Sequence, residues 1–230
     1  MTEAVAAEAL RVEQQSYLVR VFWLFGAGLA VSALTAIAGG TTADGVAFFE
    51  SGGIKVLAVL IAPLGILFGL YGALAKLSVP VAYGIYFLFC AVDGFGLGVI
   101  FLVYTTASIA LTFGVAAAMF GGMAVYGYAT KQDLSGLGSL CLMGLWGVIV
   151  ASVVNIFWTS SGAYWGTTIV GVLVFLGLTA YDMQKIKAAN VPGDAGTDAD
   201  KREAIMGAID LYLDFINLLL KLLSILGKRK

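Results

Sequence analysis

Long apolar runs alternate with short polar joints along the whole chain. Seven runs can be drawn, at roughly 19–39, 54–75, 80–104, 107–129, 136–158, 163–184 and 205–226. A helix needs about 20 apolar residues to cross the hydrocarbon core of a bilayer, and each run meets that length. The pattern predicts an all-α polytopic membrane protein with seven transmembrane helices. The joints are short except for 40–53 and the polar stretch "KAANVPGDAGTDADKRE". Pro192, glycines and alternating charges in that stretch predict a mobile loop. Residues 1–18 read as an amphipathic, uncleaved cytoplasmic arm, because they lack the basic start and small-residue cleavage site of a secretory signal. Residues 19–230 then form one seven-span domain, with no room for a soluble one.

Composition narrows the picture. Of 230 residues, 60% are hydrophobic and 12% charged, and the mean hydropathy is +0.97. A soluble protein of this size could not bury so much apolar surface. The net charge of −1 gives no reason to expect a nucleic-acid partner. Histidine is absent, which removes the commonest metal ligand and general base. Cys90 and Cys141 both sit in apolar runs and read as buried packing rather than a disulfide or zinc site. No cofactor is expected. Pro63 should bend or loosen the second span, and Gly94 and Gly98 have the spacing that lets membrane helices approach closely.

Basic residues set the orientation, since cytoplasmic loops are enriched in Lys and Arg. Arg11 and Arg20 precede span one, Lys76 follows span two and Lys131 follows span four. Lys185, Lys187, Lys201 and Arg202 follow span six. The amino terminus is therefore expected in the cytoplasm. The basic tail "GKRK" disagrees, because seven crossings leave it outside. Either span seven crosses against the rule or it re-enters; its length favours crossing.

Span seven, "AIDLYLDFINLLLKLLSIL", carries Asp210, Asp214, Asn217 and Lys221 at separations of four, three and four residues. Those separations stack side chains on one helical face. A charge at the bilayer centre costs ~2.5–3.5 kcal/mol or more, so this stripe must face other helices or a water-filled cavity. Intramembrane ionisable groups are functional candidates by default. A structural network would serve equally for Lys221, which can snorkel to an interface, and for Asp210 at headgroup level. Asp182, at the end of span six, and Asp93, inside span three, also need partners; Asp93 is a candidate pathway residue. If Asp182 and Asp214 met, like charge and desolvation would make one carboxyl keep its proton near neutral pH. Such an oxygen-rich pair also suits a hard cation such as calcium, held transiently. Their depths differ by sequence count, so pairing requires span seven to begin in the cytoplasm or span six to tilt.

The stretches "VGVLVFLGLTAYDMQKIK" and "AIMGAIDLYLDFINLLLKLLSILG" resemble the closing signature of the Bax inhibitor-1 (transmembrane Bax-inhibitor-motif) family, bacterial branch. "APLGILFGL", "IFLVYTTASIALTF", "YGYATKQDLSGLGS" and "ASVVNIF" are similar to that branch as well. The resemblance implies seven helices with the last enclosed by the other six. It also implies a pH-dependent calcium leak, with the acid pair carried onto Asp182 and Asp214. Other members suppress cell death or restrain a membrane protease. Some relatives have a basic latch residue in span two; "VLIAPLGILFGLYGALAKL" has only Lys76 at its end. The expectation is a non-enzymatic, pH-sensitive cation leak in the cell inner membrane. The alternative is a non-conducting regulator of a membrane protease or of membrane-protein quality control. An aspartyl protease would need G-x-G-D where this chain has "GAID" and "LYLD". A retinal pigment, suggested by Asp93 and Lys221, lacks the span-three pattern of such proteins.

Overall fold

A computed structural model describes residues 2–189 and 194–230, with side chains for Glu8 and from Val12 onward. Among these residues there are helices and turns but no β-strand. The helices are α1 (Thr2–Thr41), α2 (Ala43–Glu50), α3 (Gly53–Ala73), α4 (Val79–Leu97), α5 (Val99–Val103), α6 (Thr106–Ala129), α7 (Ser135–Phe157), α8 (Ser161–Ala189) and α9 (Asp198–Leu226). Six stretches are long and apolar enough to cross a membrane: Val12–Thr41, Gly53–Lys76, Val79–Val103, Thr106–Ala129, Ser135–Phe157 and Ser161–Ala189. They correspond to the first six predicted spans. Helix α9, at 29 residues, covers the seventh and matches α8 in length.

Three local features depart from the pattern. Helix α1 runs unbroken through the expected arm boundary at residue 18. "VEQQSYLVRV" holds no Gly or Pro to stop a helix, and Tyr17, Leu18 and Val21 are buried. The joint 40–53 contains helix α2. Thr42 caps it by accepting from Gly45 N at 3.2 Å, and Phe48 and Phe49 pack on Phe95 of α4. Gly52 and Gly53, at φ 58° and 72°, turn the chain into α3, a conformation open chiefly to glycine. Pro63 is buried and leaves α3 unbroken. Of the expected mobile loop, 190–193 with Pro192 lie outside the described residues; Thr197 caps α9 by accepting from Asp200 N.

The chain forms two compact units. One comprises Met1–Tyr104, Ala189–Tyr212 and Lys230; the other comprises Thr105–Ala188 and Leu213–Arg229. In the first, α1 packs on α4 through small residues. Gly94 lies against Ser32 and Thr35, and Gly98 against Gly39 and Gly40. The close-approach role expected of Gly94 and Gly98 is what the packing uses. In the second unit Gly127 of α6 lies against the Ala180 carbonyl of α8, and Gly138 of α7 against the Tyr181 ring. Large apolar side chains point outward, among them Trp23, Phe68, Trp146 and Phe157, each more than two-thirds exposed. Soluble monomers rarely display such area; lipid tails cover it here.

Contacts within the first unit mark where the two ends of the last segment lie. At one end Arg202 Nε donates to Leu77 O at 3.1 Å, just before α4 begins. At the other, Lys230 N donates to Val103 O at 3.0 Å and Lys230 Nζ to Phe101 O at 2.6 Å, where α5 ends. The chain from Arg202 to Lys230 therefore travels the full length of α4 and α5.

Two outcomes follow from this packing. Reporters fused ahead of Met1 and after Lys230 should lie on opposite sides of the membrane, read by compartment-specific enzyme fusions. Gly127→Val, driven into the Ala180 carbonyl, should destabilise detergent-solubilised protein by about 2 kcal/mol, as overpacking generally does. Gly121→Ala, with open space around it, should leave the melting temperature unchanged.

Candidate functional site along the last helix

Helix α9 is buried on nearly every face. Ala204, Ile205, Ala208, Ile209, Leu211 and Tyr212 are sealed in the first unit, and Phe215, Leu218 and Leu223 in the second. This accords with an interior helix, and it leaves each polar group of α9 to find a protein partner.

In the first unit, four such groups reach separate neighbours. Asp200, 7% exposed, forms an ion pair with Arg20 of α1 and accepts from Gly196 N at 2.7 Å. Arg202 bonds the Leu77 carbonyl as described. Asp210, half-buried, accepts from the Tyr71 hydroxyl of α3 at 2.8 Å. The Tyr212 hydroxyl, wholly buried, lies 2.7 Å from Asp93 Oδ2 of α4 and 2.7 Å from Ser32 Oγ of α1. Asp93 is thus tied to α9 and α1 rather than left in lipid. Asp194, Asp198, Asp200 and Glu203 crowd the start of α9. Burial, then the carboxylates of Asp200 and Asp194, push the Glu203 carboxyl above its ordinary range.

In the second unit Asp214 is 4% exposed. It lies within electrostatic range of Cys141 on α7, whose sulfur fills the space left by Gly177 of α8. Asn217 turns back on its own helix, donating to Leu213 O at 2.8 Å. The Lys221 stem crosses Gly171 of α8, with Cε 2.9 Å from where a Cβ would be. Asp182, half-buried, lies on the same helix α8, five positions beyond the Gly177 that Cys141 fills. Beyond Asp182, Gln184 accepts from Leu134 N and donates to Gln132 O, both at 2.8 Å. Asp133 nearby accepts from Ser135 N and Oγ, which holds its carboxyl below the usual range.

Sequence reasoning missed Arg20, Asp200, Tyr212, Ser32 and Tyr71. Arg20 reads as a topology signal and Asp200 as one loop charge among several. Tyr212 looks like an apolar residue between two aspartates. The signal available was that a membrane-depth acid needs a donor, and Tyr212 is the hydroxyl nearest the stripe.

Among the described residues no three His, Cys, Asp or Glu side chains gather in a metal-binding group.

An all-α, multi-span membrane protein built around a buried, acid-bearing final helix is what these elements define. Comparison with known proteins gives the family: the chain belongs to the Bax inhibitor-1 family, whose model, described as "Inhibitor of apoptosis-promoting Bax1", matches residues 14–230. The chain is 41% identical over 221 residues to the inner membrane protein YbhL of Escherichia coli K12, covering 96% of this chain and 94% of that one. It is 41% identical over 217 residues to a Borreliella burgdorferi protein, covering 94% of each. With YrjE of Lactococcus lactis it shares 37% over 215 residues, or 92% and 90% of the two chains.

Arg20→Ala should leave Asp200 with only the Gly196 N–H and lower stability by about 1–2 kcal/mol, less than for a fully buried pair because Arg20 is partly exposed. Thermal unfolding in detergent reads this, and replacing both residues with Met and Leu should recover most of the loss.

Proposed function

We propose that this protein is a slow, pH-sensitive passage for calcium or similar cations in a bacterial inner membrane, and not an enzyme. The observation that carries the reading is Asp214, a carboxyl almost wholly buried in a helix that crosses the membrane. Keeping such a group costs several kcal/mol unless it is paired or protonated, and a function justifies the cost. Asp182 lies on the adjoining helix, and the two share protons in this reading. Their combined charge changes with pH and sets whether the cytoplasmic side is open. Acidic residues at the start of α9 would concentrate cations at the entrance.

The inner-membrane location rests on the likeness to YbhL. The cytoplasmic amino terminus rests on Arg20, Lys76 and Arg202, which gather at one end of the first unit. The lipid bilayer is the required surrounding, and calcium the cargo.

Calcium flux into liposomes containing only this protein tests the reading. Flux should vary with pH, and Asp182→Asn or Asp214→Asn should flatten that dependence. An unchanged profile removes the pair from the mechanism. Absence of flux at every pH moves the protein to the non-conducting regulator of a membrane protease.

A further inference from the structure

The cluster around Tyr212 is separate from the Asp182 and Asp214 carboxyls, and its hydrogens can be counted. Asp93 Oδ2 and the Tyr212 hydroxyl are 2.7 Å apart. Tyr212 and Ser32 Oγ are also 2.7 Å apart. Ser32 Oγ in turn donates to Cys90 O at 2.8 Å, with Gly28 O at 3.0 Å sharing the same hydrogen. Three consecutive oxygen–oxygen links need three hydrogens. Tyrosine and serine supply one each. A protonated Asp93 carboxyl supplies the third; with Asp93 ionised, Tyr212 donates to it and one of the three links lacks a hydrogen.

We propose that Asp93 is a proton-binding site in its own right, closing a directional chain from Asp93 through Tyr212 and Ser32 to the Cys90 carbonyl. When the proton is present, Asp93 donates to Tyr212, Tyr212 to Ser32, and Ser32 to the carbonyls. When it leaves, Tyr212 reverses to donate to the carboxylate. Ser32 must then give up either Tyr212 or its carbonyls, leaving two oxygens in contact with no hydrogen between them. The proton therefore fastens α1, α4 and α9 together in the first unit.

The chain is blind-ended. A backbone carbonyl accepts a hydrogen bond and passes no proton on, and Ser32 and Tyr212 are sealed from solvent. Asp93 is less enclosed than either hydroxyl, so the proton exchanges at its carboxyl. The site stores a proton and does not conduct it.

The groups around Asp93 are Tyr212 from α9, Cys90 on α4 itself, and the hydroxyls of Ser32 and Thr35 from α1. At the neighbouring Gly96, α3 contributes Leu60 and Val59. Among the described residues no Lys or Arg pairs with Asp93. An ionised carboxylate here would have only the phenol to stabilise it.

The inference does not rest on calcium passage, and its test measures no flux. Infrared difference spectra between acid and alkaline pH, on protein in phosphatidylcholine nanodiscs, read protonated carboxyls through their C=O band. The wild type should show such a band that Asp93→Asn abolishes and that Asp182→Asn and Asp214→Asn leave in place. Tyr212→Phe keeps the carboxyl but removes its acceptor, so the band should shift. The folded protein binds a proton that the unfolded chain releases at neutral pH, so stability should fall as pH rises. Asp93→Asn should remove that slope. A band unaffected by Asp93→Asn overturns the proposal. If that variant does not fold, a spectrum unmoved by Tyr212→Phe overturns it equally.

Discussion

Hydrocarbon offers no hydrogen bonds, so a polar group at membrane depth must be satisfied by the protein itself. Helix α9 concentrates this demand. It carries Asp200, Arg202, Asp210, Tyr212, Asp214, Asn217 and Lys221, and it can meet the requirement only from the interior. In the first unit it reaches α1 through Arg20 and Ser32, α3 through Tyr71, α4 through Asp93, and the joint before α4 through the Leu77 carbonyl. In the second, Asn217 uses its own backbone and the Lys221 stem uses the gap at Gly171. The faces of the other helices that meet no protein neighbour are apolar, as at Trp23, Phe68, Trp146 and Phe157.

Between lipid-covered helices no hydrophobic force draws one toward another, so attraction comes from close packing and hydrogen bonds. Glycine supplies the first. Gly94 and Gly98 let α1 come close enough for Ser32 to reach the Cys90 carbonyl, and Gly28 leaves space for Tyr86 and Cys90. The polar chain at Tyr212 therefore depends on glycines that carry no chemistry of their own. Aromatic rings do comparable work in the second unit, where Phe113 and Phe120 of α6 meet Phe215 edge-on.

The architecture was legible because hydropathy is strong in every span and because the stripe at 210, 214, 217 and 221 has helical spacing. Six spans and the burial of the final helix could be read from those patterns, as could the close approach at Gly94. Other features depend on contacts between distant residues. Arg20 and Asp200 are 180 positions apart, and nothing local to either marks the pair. Tyr212 is hidden by its dual nature, since an aromatic ring in an apolar run gives no sign of what its hydroxyl meets. Helix α2 was obscured because eight residues with two phenylalanines resemble a loop edge until Phe95 is placed beside them.

The two ends of α9 have a mechanical consequence. Near its start, Asp200 is held by Arg20 and Gly196, and beyond its close Lys230 is pinned to the carbonyls of Phe101 and Val103. A rod anchored at both extremities cannot piston along its axis without tearing one anchorage away. Movement that leaves both ties intact must be a twist or a bow of the middle, the portion that bears Tyr212 and Asp214.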